Sequence, residues 1–444
     1  MGSFKRITLF LGDIIALYAA LIAVLWVRNG DVFATRFAEH VIPFSIVFCA
    51  WLLVFYIAGL YDLRRLRNTI EFLKTLWLTL AVNAVLAVLF FYLIPFFGIS
   101  PRRNLFFVLV LVALILTSWR RLFNRFALSR EPAVNVVVIG ETETTEELTA
   151  FLREHPQLGY RTTTWFEGDS LPPFLKTRGG VRQFMRENKI ELVVVPLHIQ
   201  KNAEFSEIFY TMLVSGVRIT DLTQLYETLL RKVPLRDLDE AWFLEHVGDQ
   251  HRFYDNLKRA AESLFAVLLQ IVLVPLELAI AILIRTTSPG PVIYRQVRVG
   301  RHGKEFVLYK FRTMRADAER HGPQWAHAHD QRVTPIGTVL RMSHLDELPQ
   351  LVNIIRGELS FVGPRPERPE FVKDLKEKVP FYEVRHLVKP GVTGWAQIHH
   401  PSDKTLDDVF EKLQYDIYYL KNRSFVLDLA ILVKTVKTLF VTPR

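Results

Sequence analysis

The sequence predicts a membrane protein of several domains: a four-helix transmembrane anchor, a degenerate Rossmann-like α/β module, and an α+β domain with a re-entrant membrane helix. Long apolar runs crowd the first 130 residues, and short buried strands then alternate with helical stretches as far as residue 250. A further apolar run, interrupted by a proline, opens the last part of the chain. About 20 apolar residues suffice to cross a bilayer core, and alternating strands and helices are typical of a parallel sheet.

Composition narrows the partners of the chain. Half of the 444 residues are hydrophobic, and the formal net charge is +10 at pH 7. This basic excess suits an anionic membrane surface and anionic substrates. Nucleic acid is disfavoured as a partner because the basic residues cluster beside apolar runs and no nucleic-acid-binding motif is present. The single cysteine, Cys49, lies in an apolar run, so the sequence contains neither a disulfide framework nor a cysteine metal site.

The first domain, residues 1–130, contains four runs that are close to the length of a membrane span: Ile7–Val27, Val41–Leu60, Leu73–Ile94 and Leu105–Trp119. Basic residues mark the cytoplasmic side of such spans. Nine lie on one side (Lys5, Arg6, Arg64, Arg65, Arg67, Arg120, Arg121, Arg125 and Arg130) and four on the other (Arg28, Arg36, Arg102 and Arg103). The bias predicts that the N-terminus and the chain after residue 120 are cytoplasmic. We interpret these helices as an anchor and an oligomer interface.

Residues 131–250 predict an α/β module that has lost its nucleotide loop. Strands are expected at Asn135–Gly140, Tyr160–Trp165, Ile190–Pro196 and Val217–Thr220, with helices between them. A dinucleotide-binding fold would continue with G-x-G-x-x-G, which lets the backbone approach a pyrophosphate. Here Gly140 is followed by E-T-E-T-T-E-E, whose four glutamates would repel a pyrophosphate. We expect a structural or dimerising module rather than a ligand sensor, and no nucleotide binding.

The third domain, residues 251–444, opens with the apolar run Ala260–Ile284, which is long enough to span a membrane. Pro275 lies near its centre, where a proline removes a helix hydrogen bond and bends the segment. Broken backbone at membrane depth must be satisfied inside protein. The break and the charge bias together predict a re-entrant helix that enters the membrane and returns. A kinked fifth span with an external domain is the alternative.

The stretch Arg341–Arg368 is where we expect the chemistry. Asp346 and Glu347 follow Ser343 at the spacing of a helix N-cap and its third residue, which predicts that a helix begins there. A solvated acidic pair on a surface helix is the alternative interpretation. Phosphoryl transfer from a Mg²⁺-bound diphosphate requires a metal ligand, a nucleophile and cations for phosphate oxygens. Five nearby cations are candidates for phosphate binding: Lys310, Arg312, Arg341, Arg365 and Arg368.

Four ordered motifs resemble the bacterial sugar transferase family, whose members are monotopic phosphoglycosyl transferases. The motifs are Tyr309–Met314, Leu345–Leu351, Ser360–Pro366 and Lys389–Trp395. The segments before residue 255 resemble the long form of that family. The resemblance implies transfer of a sugar-1-phosphate from a UDP-sugar to polyprenyl (undecaprenyl) phosphate, as the first membrane step of exopolysaccharide, capsule or O-antigen synthesis.

The resemblance also implies roles for the acidic pair. Asp346 would attack to form a covalent aspartyl phospho-sugar with release of UMP, and Glu347 would hold Mg²⁺. The enzyme would lie in the bacterial inner (cytoplasmic) membrane among its lipids, with the catalytic domain on the cytoplasmic side and residues 260–284 re-entrant. A homodimer is expected. The alternatives are a membrane-anchored nucleotide-sugar dehydratase or epimerase, and a non-enzymatic scaffold for polysaccharide assembly.

The sequence of the last domain also predicts a hairpin, with strands at Val292–Arg298 and Phe306–Phe311. The polar loop Arg315–Thr334, with His321, His327 and His329, is expected to cover the site rather than to bind metal. Gln397 and His399 are expected near the substrate. The segment Tyr415–Tyr419 fits either a functional role or the packing of a helix by tyrosines. Phe425–Val441 has the pattern of a helix lying at the bilayer surface.

Overall fold

The computed structural model describes residues 2–63, 68–93, 102–129, 134–140, 142–166, 177–200, 203–247, 251–315, 318, 332–400 and 405–441. The chain divides into two compact units, residues 1–222 and 223–444. The boundary between the two units lies upstream of the expected boundary at residue 250. The three domain ranges deduced from the sequence stay predictions.

Long apolar helices open the first unit: α1 (Gly2–Asn29), α2 (Phe33–Ile57), α3 (Ile70–Leu93) and α4 (Arg102–Ser129). Helix α1 packs against α2 and α4, and α3 packs against the same two helices. Judged by length and composition, the described segments able to cross a membrane are Phe4–Ile57, Ile70–Leu93, Asn104–Phe126 and Phe253–Thr287. These helices confirm the predicted apolar anchor at the N-terminal end of a membrane protein with several domains.

An ion pair lies buried inside this helix bundle. Asp13 of α1 and Arg120 of α4 are both 0% exposed. The Arg120 guanidinium donates from Nε to Asp13 Oδ1 at 3.0 Å and from Nη2 to Asp13 Oδ2, while its Nη1 donates to the carbonyl of Leu60 at 2.6 Å. The Tyr61 hydroxyl donates to Asp13 Oδ2 at 2.7 Å. The cluster therefore links helix α1 to helix α4 and to the residues that follow α2.

The α/β module has four parallel strands in the order β2-β1-β3-β4: β1 (Val134–Ile139), β2 (Tyr160–Phe166), β3 (Ile190–Val195) and β4 (Arg218–Asp221). The connections contain α5 (Glu143–Glu154), α6 (Arg178–Glu187), α7 (Leu197–Gln200) and α8 (Ala203–Val214). Strands β1 and β3 are apolar and rich in valine on both faces. This pattern is typical of a parallel sheet that is covered by helices. The alternation predicted from the sequence is confirmed, with strand ends shifted by about two residues at most.

The turn after β1 differs from a nucleotide-binding turn in its surroundings. Gly140 has φ +112°, and a Cβ at this position would lie only 2.9 Å from the ring of Pro196. Thr142 then caps helix α5, its hydroxyl accepting from the amide of Thr145 at 3.2 Å. Pro196 thus packs at the carboxyl end of β1, where a pyrophosphate approaches in dinucleotide-binding sheets. Absence of nucleotide binding stays a prediction.

The second unit is α+β. Its early elements are α9 (Leu222–Leu230), which begins at the boundary, α10 (Glu240–His246), α11 (Arg252–Thr287), and the antiparallel hairpin of β5 (Ile293–Val299) and β6 (Glu305–Phe311). The elements that follow are α12 (Pro335–Ser343), α13 (Gln350–Arg356), β7 (Ser360–Val362), α14 (Pro369–Lys378), β8 (Gly391–Thr393), α15 (Trp395–His399), α16 (Leu406–Asn422) and α17 (Phe425–Val441). Strands β7 and β8 pair in parallel. The hairpin and α17 lie where the sequence predicts them.

Helix α11 is a single helix of 36 residues, so Pro275 lies inside a helix and not between two helices. One face of α11 packs against α12, α13 and β7. Ala266 belongs to a buried cluster with Phe306 of β6, and Ile284 belongs to another with Phe311 of the same strand. The re-entrant path of α11 stays a prediction. These contacts hold both ends of the apolar run against the same strand, β6.

We expect Asp13→Leu or Arg120→Leu alone to destabilise the anchor more than the double substitution. Each single change leaves one charge buried without its partner, at a cost of roughly 3–5 kcal/mol, whereas removing both charges leaves none. Thermal unfolding of the full-length chain in detergent measures the difference. Equal losses of stability in the double variant and in the worse single variant would contradict this assignment.

Candidate active site

The site is built on β6, a short 3₁₀ turn (Leu345–Glu347) and α13. Asn353 of α13 is 0% exposed and fixes that helix to the strand. Its Oδ1 accepts from the amide of Tyr309 at 3.1 Å, and its Nδ2 donates to the carbonyl of Val307 at 2.7 Å. A buried amide with partners on a neighbouring strand holds two elements in one register. Lys310, next along β6, is thereby placed beside the turn.

The acidic pair and Lys310 meet in this half-buried place. Lys310 Nζ lies 2.8 Å from Glu347 Oε1, with side chains 19% and 13% exposed. Burial lowers the pKa of Lys310, against the opposing carboxylate of Glu347. Burial raises the pKa of Asp346, Glu347 adds to that rise, and Lys310 and Arg341 oppose it. Both shifts follow from the cost of charge away from water.

The prediction that a helix begins at Ser343 is wrong. Helix α12 ends at this residue, and the Ser343 hydroxyl donates back to the carbonyl of Val339 at 2.8 Å. His344 then turns the chain in the left-handed conformation (φ 56°, ψ 16°). Helix α12 starts earlier because Thr334 caps it, accepting from the amide of Gly337 at 3.0 Å, with Pro335 in its first turn. The acidic pair therefore sits in a turn between two helices.

The loop Gly363–Pro366 is held by buried arginines through its carbonyl oxygens. Arg385 donates from Nη2 to the carbonyl of Arg365 at 3.0 Å and pairs with Asp416 at 2.8 Å. Arg298 of β5 donates from Nη1 to the carbonyl of Pro366 at 3.1 Å. Burial lowers the pKa of Lys310, and the positive charge of Arg365 lowers it further. The two cations therefore lie near each other.

Arg368 lies in the same basic group. Burial lowers the pKa of Arg298, Glu367 opposes the shift, and Arg365 and Arg368 add to it. Glu367 lies 3.5 Å from Arg298, and Glu370 lies 3.5 Å from Arg368. Arg365 and Arg368 thus both act on Arg298, and the carboxylates paired in this region are Glu367 and Glu370.

Arg341 and Arg312 differ in their placement. Arg341 donates from Nε to the hydroxyl of Thr313 at 3.0 Å and is close enough to Asp346 to influence its pKa. Arg312 is 6% exposed and donates from Nη2 to the carbonyl and hydroxyl oxygens of Ser288, at 2.8 and 2.7 Å. It therefore holds the chain where α11 ends, and its binding of phosphate stays a prediction.

Two of the sequence motifs touch through their glycines. Strands β7 and β8 bring Gly363 and Gly391 so close that a Cβ on Gly391 would lie 2.1 Å from the amide nitrogen of Gly363. Gly363 N donates to the carbonyl of Thr393, and Gly391 N donates to the carbonyl of Pro364, each at 2.9 Å. Any side chain here would separate the two backbones and displace the loop that carries Arg365.

Several positions have roles that the sequence did not assign. Arg385, Arg298 and Asn353 were missed, although a charged Asp416 on the buried face of α16 was a usable signal. Gln397 donates to the carbonyl of Val392 at 3.2 Å, His399 stacks on Tyr415, and Tyr418 stacks on Trp395. Contact of Gln397 and His399 with a substrate stays a prediction. His321, His327 and His329 lie outside the described residues.

The donor set fits a magnesium ion that is shared with a substrate. Within the part of the chain that the structure describes, no group of three or more His, Cys, Asp or Glu side chains could hold a metal. Mg²⁺ commonly binds through one or two carboxylates plus substrate phosphates and keeps several waters. Asp346 and Glu347 supply such carboxylates, so the residues present fit the ion only together with a phosphate ligand.

Two parts of the chain match known protein families. Residues 253–442 match the family described as bacterial sugar transferase, and residues 56–220 match one described as a CoA-binding domain. The chain is 40% identical over 228 residues, 51% of its length, to the UDP-N-acetylgalactosamine-undecaprenyl-phosphate N-acetylgalactosaminephosphotransferase of Aeromonas hydrophila, and the match spans about half (53%) of that protein.

Two further relatives are named UDP-glucose:undecaprenyl-phosphate glucose-1-phosphate transferase. The chain is 29% identical over 355 residues to the one from Xanthomonas campestris pv. campestris, covering 75% of this chain and 72% of that protein. It is 38% identical over 192 residues to the one from Caulobacter vibrioides, covering 42% of this chain and 71% of that protein. The region that matches the bacterial sugar transferase family, residues 253–442, includes the acidic pair and the loop at Arg365.

We expect Arg385→Lys to lower kcat/KM for the reaction of this site by about tenfold or more, because a single ammonium cannot hold both Asp416 and the carbonyl of Arg365 as the guanidinium fork does. Tyr382→Phe is the matched control: it removes the hydroxyl that accepts from Arg385 Nη1 at 2.7 Å but leaves the fork in place. Steady-state kinetics and thermal unfolding of both variants test this. Full activity of Arg385→Lys would show that the loop does not depend on it.

Proposed function

Because the chain belongs to the bacterial sugar transferase family, we propose that it transfers a sugar-1-phosphate from a UDP-sugar to undecaprenyl phosphate. This is the first membrane step in the synthesis of an exopolysaccharide, capsule or O-antigen. The observation that carries the proposal is the ion pair of Lys310 and Glu347 beside the half-buried Asp346. Two adjacent carboxylates with cations on the facing elements are the groups that phosphoryl transfer from a diphosphate needs.

Asp346 is the proposed nucleophile. The acceptor is a phosphate that is already ionised, so the reaction needs no general base, but a lipid phosphate and a diphosphate repel each other. Attack by a carboxylate divides the task. A bond forms between an Asp346 carboxylate oxygen and the phosphorus that carries the sugar, while the bond from that phosphorus to UMP breaks and UMP leaves with the electron pair. The lipid phosphate then displaces Asp346, giving a polyprenyl diphosphate sugar.

The surrounding charges have proposed roles in both steps. Glu347, with the donor diphosphate, would hold Mg²⁺, which neutralises the charge that develops on the leaving phosphate. Lys310, Arg341 and Arg365 would bind the phosphate oxygens, since charge-assisted hydrogen bonds to phosphate are strong and directional. Arg312 and Arg368 are retained as proposed phosphate contacts at the edge of the site.

The geometry favours this function over a nucleotide-sugar dehydratase or epimerase. Such an enzyme would need a catalytic tyrosine and lysine, imitated in the sequence by Tyr415 and Lys421. In the structure Tyr415 stacks on His399, while Lys421 pairs with Glu227 at 2.9 Å. Tyr415 is thus held by a stacking contact and Lys421 by an ion pair, both inside the second unit.

We also propose that α11 enters the cytoplasmic leaflet without crossing the membrane. Both ends of its apolar run share buried clusters with the same strand, β6: Ala266 with Phe306, and Ile284 with Phe311. A crossing helix would carry this strand, with Lys310, through roughly 30 Å of hydrocarbon, where charged side chains are costly. A cytoplasmic location of the site at a bacterial inner membrane, and the homodimer, stay predictions.

Cysteine labelling tests this topology. With Cys49→Ser as background, a cysteine replacing the exposed Lys304, in the hairpin next to β6, is expected to react with a membrane-impermeant maleimide only after the cells are opened. A cysteine replacing the exposed Asp31, between α1 and α2, is the matched control and should react in intact spheroplasts. Labelling of the Lys304 position from outside would contradict a re-entrant α11.

Release of UMP tests the roles of the two carboxylates. Asp346→Asn is expected to abolish UMP release at every Mg²⁺ concentration, because the amide cannot act as the nucleophile. Glu347→Gln is expected to raise the Mg²⁺ concentration needed for half-maximal rate, because the ion loses a charged ligand. A panel of UDP-sugars with undecaprenyl phosphate, assayed with the purified full-length chain, supplies the reference rates. No UMP from any donor with the wild-type chain would sink the proposed function.

A further inference from the structure

A second group of cations lies away from the acidic pair, at the other end of α13. The Asp346–Glu347 turn precedes this helix, whereas Gly357 follows it with φ +77°. At about 1.5 Å per residue the two places are roughly 15 Å apart. A ligand held beside Gly357 is therefore distant from the reacting atoms.

Two of these cations converge on one point. Arg259 Nη2 and Lys389 Nζ each lie 3.4 Å from the position that a Cβ on Gly357 would take. Arg301 lines the same cavity and donates from Nε to the carbonyl of Leu387 at 3.1 Å. Among the described residues, none of these three side chains forms a salt bridge, so their charges are not neutralised by a carboxylate.

The acidic groups of the same cavity are committed to other partners. Asp255 pairs with Arg423 through two contacts, at 3.0 and 3.2 Å. Glu262 accepts from the hydroxyl of Ser360 at 2.7 Å and from the amide of Phe361 at 3.1 Å. The cavity therefore keeps an excess of positive charge at its open side.

The positive charges also act on Lys389 itself. Burial lowers the pKa of Lys389, and the charges of Arg259, Arg301 and Lys258 lower it further, with only Glu262 opposing them. Like charges held close together disfavour the charged form of each. An anion placed between them would remove this repulsion.

The size and position of the cavity restrict the anion. It has a volume of about 40 Å³, which is room for roughly three water molecules and therefore suits a small anionic group. Arg259 directly precedes the apolar run of α11. Apolar side chains of that run are exposed, among them Leu264 at 64% and Ile271 at 66%. Exposed apolar side chains beside cations are typical of a surface that meets lipid headgroups.

We propose that Arg259, Arg301 and Lys389 form a binding cleft for the phosphate of a membrane phospholipid at the point where α11 enters the bilayer. The lipid phosphate would lie between Arg259 and Lys389 beside Gly357, with Arg301 at the open side. The bound lipid would seat the start of α11 at headgroup depth. The cleft is independent of the reaction at Asp346, because it requires only that α11 contacts a membrane.

Lipid titration of the purified full-length chain tests the cleft. Native mass spectrometry in detergent, with added phosphatidylglycerol as probe, should show a saturable lipid whose Kd rises by roughly tenfold or more in Arg259→Gln/Lys389→Gln. The control Lys373→Gln/Lys378→Gln removes the same charge from exposed positions of α14 and should bind as the wild type does. Arg259→Lys/Lys389→Arg keeps both charges and should retain binding, which separates loss of charge from loss of fold.

Inorganic phosphate is the second probe, with thermal unfolding as the readout. We expect phosphatidylglycerol to raise the Tm of the wild-type chain and inorganic phosphate to leave it unchanged. A rise with inorganic phosphate alone that is lost in the Arg259→Gln/Lys389→Gln variant would assign the cleft to a soluble phosphate and overturn the lipid assignment. Equal phosphatidylglycerol affinity in that variant and in the α14 control would overturn the site itself.

Discussion

The ion pair between Lys310 and Glu347 is the interaction on which the candidate site depends. It joins the β5–β6 hairpin to the turn between α12 and α13, and Asn353 keeps those elements in register. Neither charge is fully in water, so loss of one partner would leave the other uncompensated. The position of Asp346 follows from this contact. Lys310 holds the neighbouring Glu347, and the Asp346 carboxyl lies beside the cations of the facing elements. The same ion pair therefore joins the elements of the site and positions the proposed nucleophile.

Helix α11 connects that contact to the proposed membrane-facing surface. Its inner face carries the hairpin and α13, and its outer face leaves large apolar side chains exposed over most of its length. For the proposed reaction, mounting the site on a helix that enters the membrane would let the lipid headgroup reach the site without leaving the membrane surface. The cationic cleft at the start of α11 would add a second fastening at the same depth.

Much of the architecture followed from sequence pattern, and the failures have physical causes. Strands, the hairpin and α17 were predictable because their periodicity and turn residues agree locally with the fold. The turn at His344 was not, because a left-handed histidine is uncommon and its sequence signal is weak. The roles of Arg298 and Arg385 depend on contacts between residues distant in the chain, such as Arg385 with Asp416 and with the loop at Arg365. Pro275 predicted a break, yet the helix continues through it.

The most direct measurement of the central claim is peptide mapping of the full-length chain after incubation with a UDP-sugar and no acceptor. The account predicts one sugar phosphate bound to the peptide that contains Asp346, together with an equimolar amount of UMP. UMP that forms only after undecaprenyl phosphate is added, with no modified peptide at any time, would contradict the aspartyl intermediate.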